Sequence, residues 1–259
     1  MFDYVRMHTM AHMLAHERQE ALRSLLAQRG AVAVADLARR WKVSEMTIRR
    51  DLAALAADGS VARVHGGAVP GDRLRFGARL ERNRSGKQAA ARKLLPLIPE
   101  HGAIYLDGST TVYQLAGLLE GRHGLTVATN SVDTFQRLVQ RPGLEAVLIG
   151  GSRDPATDNL IGPLARRALE GLSFSAACFS AYALHPDHGP AEPSAEDAEI
   201  KRLVCIRSTL VLLAVDHDKL GLDATGCWQP AAERTTLATD LLPGDKRLKP
   251  FSHQFHRIV

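Results

Sequence analysis

Apolar positions in the first seventy residues fall at helical spacing. Leu22, Leu25 and Leu26 stand at i, i+3 and i+4, which predicts a helix stopped at Gly30. Leu37 and Trp41 share a face of a short second helix in "VAVADLARRWKV", and Lys42 and Val43 turn the chain into "SEMTIRRDLAALAADG". Ser44 is placed to cap this third helix, with Glu45 in its first turn, where the helix dipole favours an acid. Ile48, Leu52 and Leu55 form its apolar face and Gly59 its stop. In "SVARVHGGAV" the pattern changes, and His65-Gly66-Gly67 predicts the turn of a β-ribbon. Two short helices, a tight turn and a basic ribbon have the layout of a winged helix-turn-helix. Thr47, Arg49 and Arg50 lie near the start of the second of these helices, the part that can reach base edges. Arg49 stands four residues after Glu45, so an exposed ion pair is the alternative use of that guanidinium.

From Gln88 onward helical stretches alternate with short β-rich ones. "AIYL", "LTVAT", "LEAVLIGG", "FSAACFSA" and "TLVLLAV" are the strands, and amphipathic segments separate them. The alternation predicts an α/β domain with a mostly parallel sheet and helices on both faces, so the expected fold class is α/β overall. Ligands of such sheets bind at the carboxyl ends of the strands. Those ends read Asp107-Gly108-Ser109-Thr110-Thr111, Thr129-Asn130-Ser131, Gly150-Gly151-Ser152-Arg153 and Asp216-His217-Asp218-Lys219. Gly108 allows a sharp turn, and Ser109, Thr110 and Thr111 would offer amides and hydroxyls to an anion over a helix N-terminus. Lys219 would add positive charge, Asn130 an amide for sugar hydroxyls, and Asp107 a hydroxyl acceptor or a cap. An ordinary helix cap is the competing account of "DGSTT".

Charge sharpens the division. Residues 1–79 carry 13 Lys+Arg against 8 Asp+Glu, while residues 80–259 carry 20 of each, so the whole excess lies in the first third. A basic module joined to a neutral one fits a polyanion binder coupled to another function. Three cysteines, Cys178, Cys205 and Cys227, form no pairing pattern, which suits a reducing compartment. No apolar run is long enough for a spanning helix and the first dozen residues lack a signal-peptide core, so a cytoplasmic protein without membrane contact is expected. Met13 is a candidate translation start. His8, His12 and His16 have helical spacing, but no acid or cysteine completes a metal set, and neither metal nor cofactor is expected.

The run "VSEMTIRRDL", followed by "VHGGAV", resembles the DNA-binding domain of the DeoR family of bacterial transcriptional regulators. "YLDGSTTVYQLAGLL", "LTVATNS", "LIGG", "LIGPLA" and "VDHDKLG" are similar to that family's effector domain. The resemblance implies DNA contact at Ser44, Thr47, Arg49, Arg50, His65 and Gly66; Arg63 joins them as the basic residue of the ribbon. It also implies a fold like ribose-phosphate isomerase and a phosphorylated sugar bound at Asp107 to Thr111, Asn130, Gly150, Gly151, Lys201 and Lys219. Where family members commonly read Gly-Ala-Asp at the end of "FSAACFSA", this chain has Ser180-Ala181-Tyr182, a phenol in place of an acid. Glu192, Glu196, Asp197 and Glu199 follow nearby, and their spacing suits solvated surface.

The expected organisation is an extension over 1–16, a winged domain over 17–70, a linker or interdomain helix over 71–87 and an effector domain over 88–259. The expected protein is not an enzyme. It is a regulator, a repressor of a carbohydrate-utilisation operon, that binds double-stranded operator DNA as a dimer or tetramer and responds to a sugar phosphate. An isomerase-like enzyme with an appended DNA-binding domain is the alternative.

Overall fold

The structure is a computed structural model that describes residues 14–29, 31–57, 61–64, 66–70, 76–154 and 157–259. The stops at Gly30 and Gly59, the ribbon residue His65, residues 71–75 of the linker, and the extension through Met13 with His8 and His12 lie outside the described residues. The chain divides into two compact units, residues 1–79 and 80–259.

In the first unit α1 (Ala15–Arg29), β1 (Val32–Ala33), α2 (Val34–Trp41) and α3 (Glu45–Ala57) precede the ribbon of β2 (Val61–Val64) and β3 (Gly67–Pro70). Leu22, Leu26, Leu37, Trp41, Ile48, Leu52 and Leu55 are buried in one cluster, so the helical stripes meet as their spacing requires. Lys42 turns α2 into α3 in the left-handed region, at φ 55°. Asp51 is buried and bound to Arg18 at 2.8 Å, which ties α3 to α1. β3 pairs antiparallel with both β2 and β1. The β1 contact fixes a glycine: a Cβ on Gly67 would lie 2.2 Å from the carbonyl oxygen of Val32.

Chain order continues with α4 (Phe76–Glu81), α5 (Arg84–Leu94), β4 (Gly102–Leu106), α6 (Thr110–Leu118), β5 (Leu125–Thr129), α7 (Val132–Leu138) and β6 (Leu144–Leu148). The hairpin of β7 (Ser152–Arg153) and β8 (Leu160–Ile161) leads to α8 (Pro163–Glu170) and β9 (Phe174–Phe179). Next come β10 (Ala183–His185), β11 (Gly189–Glu192), α9 (Ala195–Ile206), β12 (Ser208–Ala214), β13 (Gly226–Cys227), β14 (Thr235–Ala238) and β15 (Arg257–Ile258). Residues 76–81 and 84–87 of the expected linker are thus helical.

Seven strands form one parallel sheet in the order β15-β14-β12-β9-β4-β5-β6. Alternate strand residues feed two cores. Ile104, Leu106, Val127 and Leu212 pack with Leu94, Val112 and Leu115 of α5 and α6. Tyr105, Phe179, Val211 and Leu213 pack with Ala165, Leu169 and Val204 of α8 and α9. Burial on both faces explains why these strands are almost continuously apolar. From β4 the chain winds outward through β5 to β6, then returns to the other side of β4 as β9 and winds outward again. The winding therefore reverses between β4 and β9, the place where open α/β sheets leave a crevice at their carboxyl ends.

Candidate functional site

On the first unit, α3 and the ribbon carry the expected DNA contacts. The Ser44 hydroxyl accepts the Thr47 N–H at 3.1 Å and lies 2.9 Å from the Thr47 hydroxyl, so it caps the helix. Arg49 pairs with Glu45 at 3.0 Å, both half exposed, so the local ion pair does form. Arg50 and Arg63 are exposed. Arg49, Arg63 and Gly66 line one small cleft of about 30 Å³ between helix and ribbon. Gly66 takes φ +76° there, a turn that suits glycine. Reasoning from polar residues alone overlooked Met46, which is 68% exposed in the first turn of α3.

On the second unit the switch point between β4 and β9 holds a buried polar cluster. Asp107, directly after β4, accepts the Ser109 N–H on Oδ1 at 3.0 Å and the Ser180 N–H on Oδ2 at 2.9 Å. Lys201 reaches in from α9. Its Nζ lies 3.1 Å from Asp107 Oδ2, 2.5 Å from Glu192 Oε1 and 2.8 Å from the Ser180 carbonyl oxygen. Three partners match the three donors of an ammonium. Burial alone would depress the lysine, but the carboxylates of Glu192, Asp107 and Asp197 outweigh it and hold the group charged. With three carboxylates around one ammonium, burial pushes Glu192 up to about 7 and also raises Asp197.

Glu192 and Asp197 are therefore buried members of the cluster, which corrects their reading as solvated surface. Glu196 is exposed, and Glu199 pairs with Arg166 at 2.8 Å. Asn159, which the sequence did not single out, donates to Asp197 at 3.0 Å. It also explains Gly108. A Cβ there would lie 1.7 Å from Asn159 Oδ1, so the glycine makes room for an amide rather than for a left-handed turn.

The Ser109 hydroxyl caps α6 by accepting the Val112 N–H at 3.1 Å, so the ordinary-cap account of "DGSTT" holds for that residue. Thr110 and Thr111 are buried, and the Thr111 hydroxyl lies 3.4 Å from that of Ser180. Asn130 accepts the Tyr105 phenol at 2.8 Å and donates to the Leu160 carbonyl at 3.1 Å. Gly150 and Gly151 follow β6 at the sheet edge, two strands from β4. Gly151 sits at φ +148°, where a Cβ would meet the Ile161 carbonyl oxygen at 2.5 Å. Lys219, after β12 on the other side, lies 5.5 Å from the Tyr182 ring centre. The Tyr182 N–H donates to Glu192 at 3.3 Å, so an acid reaches the position after β9 from β11 even though residue 182 is a phenol.

Asn83 and Asp216 form a further link at this end of the sheet. Asn83 takes φ 45° before α5 and donates to Asp216 Oδ1 at 3.0 Å. Asp216 is buried after β12 and caps the turn that carries Lys219. Arg82 Nε lies 4.0 Å from Asp218 in the same turn.

Two family models cover most of the chain. The DeoR-like helix-turn-helix domain matches residues 18–73, and the DeoR C-terminal sensor domain matches residues 82–241. The chain is 32% identical over 232 residues to the HTH-type transcriptional regulator GolR of Listeria innocua, covering 88% of this chain and 91% of that one. It is 29% identical over 244 residues to the lactose phosphotransferase system repressor of Streptococcus mutans, covering 92% and 96%. Among solved structures it is similar to ribose 5-phosphate isomerase A of Neisseria gonorrhoeae at a TM-score of 0.37 and 15% identity, over 51% of this chain and 52% of that one. A winged helix-turn-helix and a parallel α/β unit, each matched by its own model, place the chain in the DeoR family of DNA-binding transcriptional regulators.

Proposed function

We propose that the protein represses a carbohydrate-utilisation operon and that a phosphorylated sugar, bound at the carboxyl edge of the parallel sheet, changes its hold on operator DNA. The observation that carries this reading is the convergence of the α6 N-terminus and the Asp107–Lys201 cluster on the β4–β9 switch point. The name of the Streptococcus mutans relative, a repressor of a lactose phosphotransferase system, points to the same ligand class.

The phosphate rests on the amides of Thr110 and Thr111, beside Ser109, with Lys219 closing from β12 across about 10 Å of sheet. Asp107, Gly108, Asn130 and Lys201 build the floor beneath the sugar, and Gly150 and Gly151 border it from β6. Lys201 acts through Asp107 and Glu192 rather than on the phosphate, because its donors already have internal partners. The same commitment favours sensing over turnover: Asp107 and Glu192 hold Lys201 and backbone amides, whereas an isomerase needs a base beside the carbon it deprotonates. DNA is held by Ser44, Thr47, Arg49, Arg50, Arg63, His65 and Gly66. One winged domain makes few base contacts, so the protein acts as a dimer or tetramer on repeated half-sites, in the cytoplasm.

Fluorescence anisotropy on duplex DNA from upstream of the coding region, titrated with a panel of sugar phosphates at one fixed salt concentration, tests the reading. One sugar phosphate should shift the DNA-binding curve while its unphosphorylated form does not. Tight DNA binding that no sugar phosphate moves would sink the effector assignment, and consumption of the sugar phosphate would favour the enzyme.

A further inference from the structure

The buried side of α3 is defined by Ile48, Asp51, Leu52 and Leu55. At about 100° of rotation per residue, the direction opposite that side passes within about 10° of Met46, with Arg49 about 60° to one side and Arg50 about 40° to the other. Met46 thus stands at the centre of the outward face, in the first turn, where a recognition helix meets base edges. It is 68% exposed. Its polar neighbours are engaged with one another: Ser44 with Thr47, and Glu45 with Arg49. What the first turn presents at its centre is a flexible thioether ending in a methyl group.

A thioether donates no hydrogen bond and accepts only weakly. The apolar group that the floor of the major groove offers is the 5-methyl of thymine. We propose that Met46 is a specificity-determining residue that packs on a thymine 5-methyl in each half-site, between the guanidinium groups of Arg49 and Arg50. The adaptable methionine side chain fits such a contact without a fixed hydrogen-bond geometry. The proposal rests on the DNA-binding role of the family, and its test reads base preference on top of DNA binding rather than binding itself.

The test begins by selecting sites from a random duplex pool with the full-length protein. Each selected thymine is then replaced by uracil, which removes only the methyl group, and affinity is measured by anisotropy at fixed salt. Wild type should lose about fourfold at one position per half-site, the worth of one buried methyl. Met46→Ala should bind the thymine duplex correspondingly more weakly and no longer distinguish thymine from uracil there. Met46→Leu should keep the preference. The slope of affinity against salt should be the same for all three, because no phosphate contact changes. Uracil tolerated at every position by the wild type would overturn the proposal. So would a Met46→Ala protein that binds weakly but still prefers thymine, since the methyl would then be read by another residue.

Discussion

Lys201 Nζ lies 3.1 Å from Asp107 Oδ2 and 2.5 Å from Glu192 Oε1, and it joins the carboxyl end of β4 to β11 through one buried ammonium. Replacing it with Met removes the charge and leaves these carboxylates without compensation. Breaking a buried pair in this way costs about 3–5 kcal/mol. Urea unfolding of Lys201→Met, followed through Trp228 emission in a Trp41→Phe background, should show that loss. Trp228 is a suitable reporter because Lys201 lies 5.3 Å from its ring centre. A loss below about 1 kcal/mol, the range of an exposed pair, would mean that Lys201 is a free ligand cation after all.

Glu192 gives the cluster a pH signature. Its carboxyl is raised from 4.5 to about 7 by burial. Between those values the folded form holds a proton that the unfolded chain has released, so stability falls as pH rises through that window. Glu192→Gln keeps an acceptor for Lys201 without the titration. Unfolding free energies measured from pH 4.5 to 7.5 should therefore fall less steeply for Glu192→Gln than for wild type. Parallel curves would remove Glu192 as the source.

The helix-turn-helix was legible because Leu22, Leu26, Ile48, Leu52 and Leu55 repeat at the period of a helix and all become core. β1 was not, because two residues, Val32 and Ala33, become a strand only through a distant partner, β3. The sheet was legible from its apolar runs and the strand ends from their polarity, but the wiring of those ends was not. Which groups Asn130 and Asp107 satisfy depends on neighbours supplied by the fold, the Tyr105 phenol and Leu160 carbonyl for one and the Ser180 N–H and Lys201 for the other. A signal for the buried acids was nevertheless present. Asp197, Lys201 and Val204 stand at i, i+4 and i+7 on α9 with Ala198 and Cys205 beside them, so the first two share the apolar stripe.

Gly108→Ala tests whether the floor of the site must fit closely. The added methyl would stand 1.7 Å from Asn159 Oδ1, and Asn159 cannot retreat without releasing Asp197. Overpacking of this kind costs about 1–3 kcal/mol. The expected outcome is a destabilised second unit and a lost response to the effector, with operator affinity in the absence of effector within about twofold of wild type, at the level of a few tenths of a kcal/mol. An unchanged effector response would show that this approach is not needed for binding.

The chain that leads into the second unit is tied to the turn that carries Lys219. Arg82 and Asn83 lie at the start of the second unit and are held against the turn that carries Lys219. Asn83 bonds Asp216, and Arg82 lies near Asp218. Asn83 accepts a left-handed backbone to do so, and its amide fills the place a Cβ on Gly86 would need, 2.7 Å from Asn83 Oδ1. A ligand that draws on Lys219 therefore acts on the same turn that grips Asn83. Asn83→Gly keeps the backbone conformation and removes the amide, whereas Asn83→Ala removes the amide and opposes the backbone. Both should bind the effector about as well as wild type yet transmit less of it to DNA, losing part of a coupling that is typically about 1–3 kcal/mol. Paired titrations of effector binding and of operator affinity with and without effector measure the two quantities separately. If only Asn83→Ala loses coupling, the backbone conformation carries the signal; if neither does, the Asn83–Asp216 bond is structural and the route lies elsewhere.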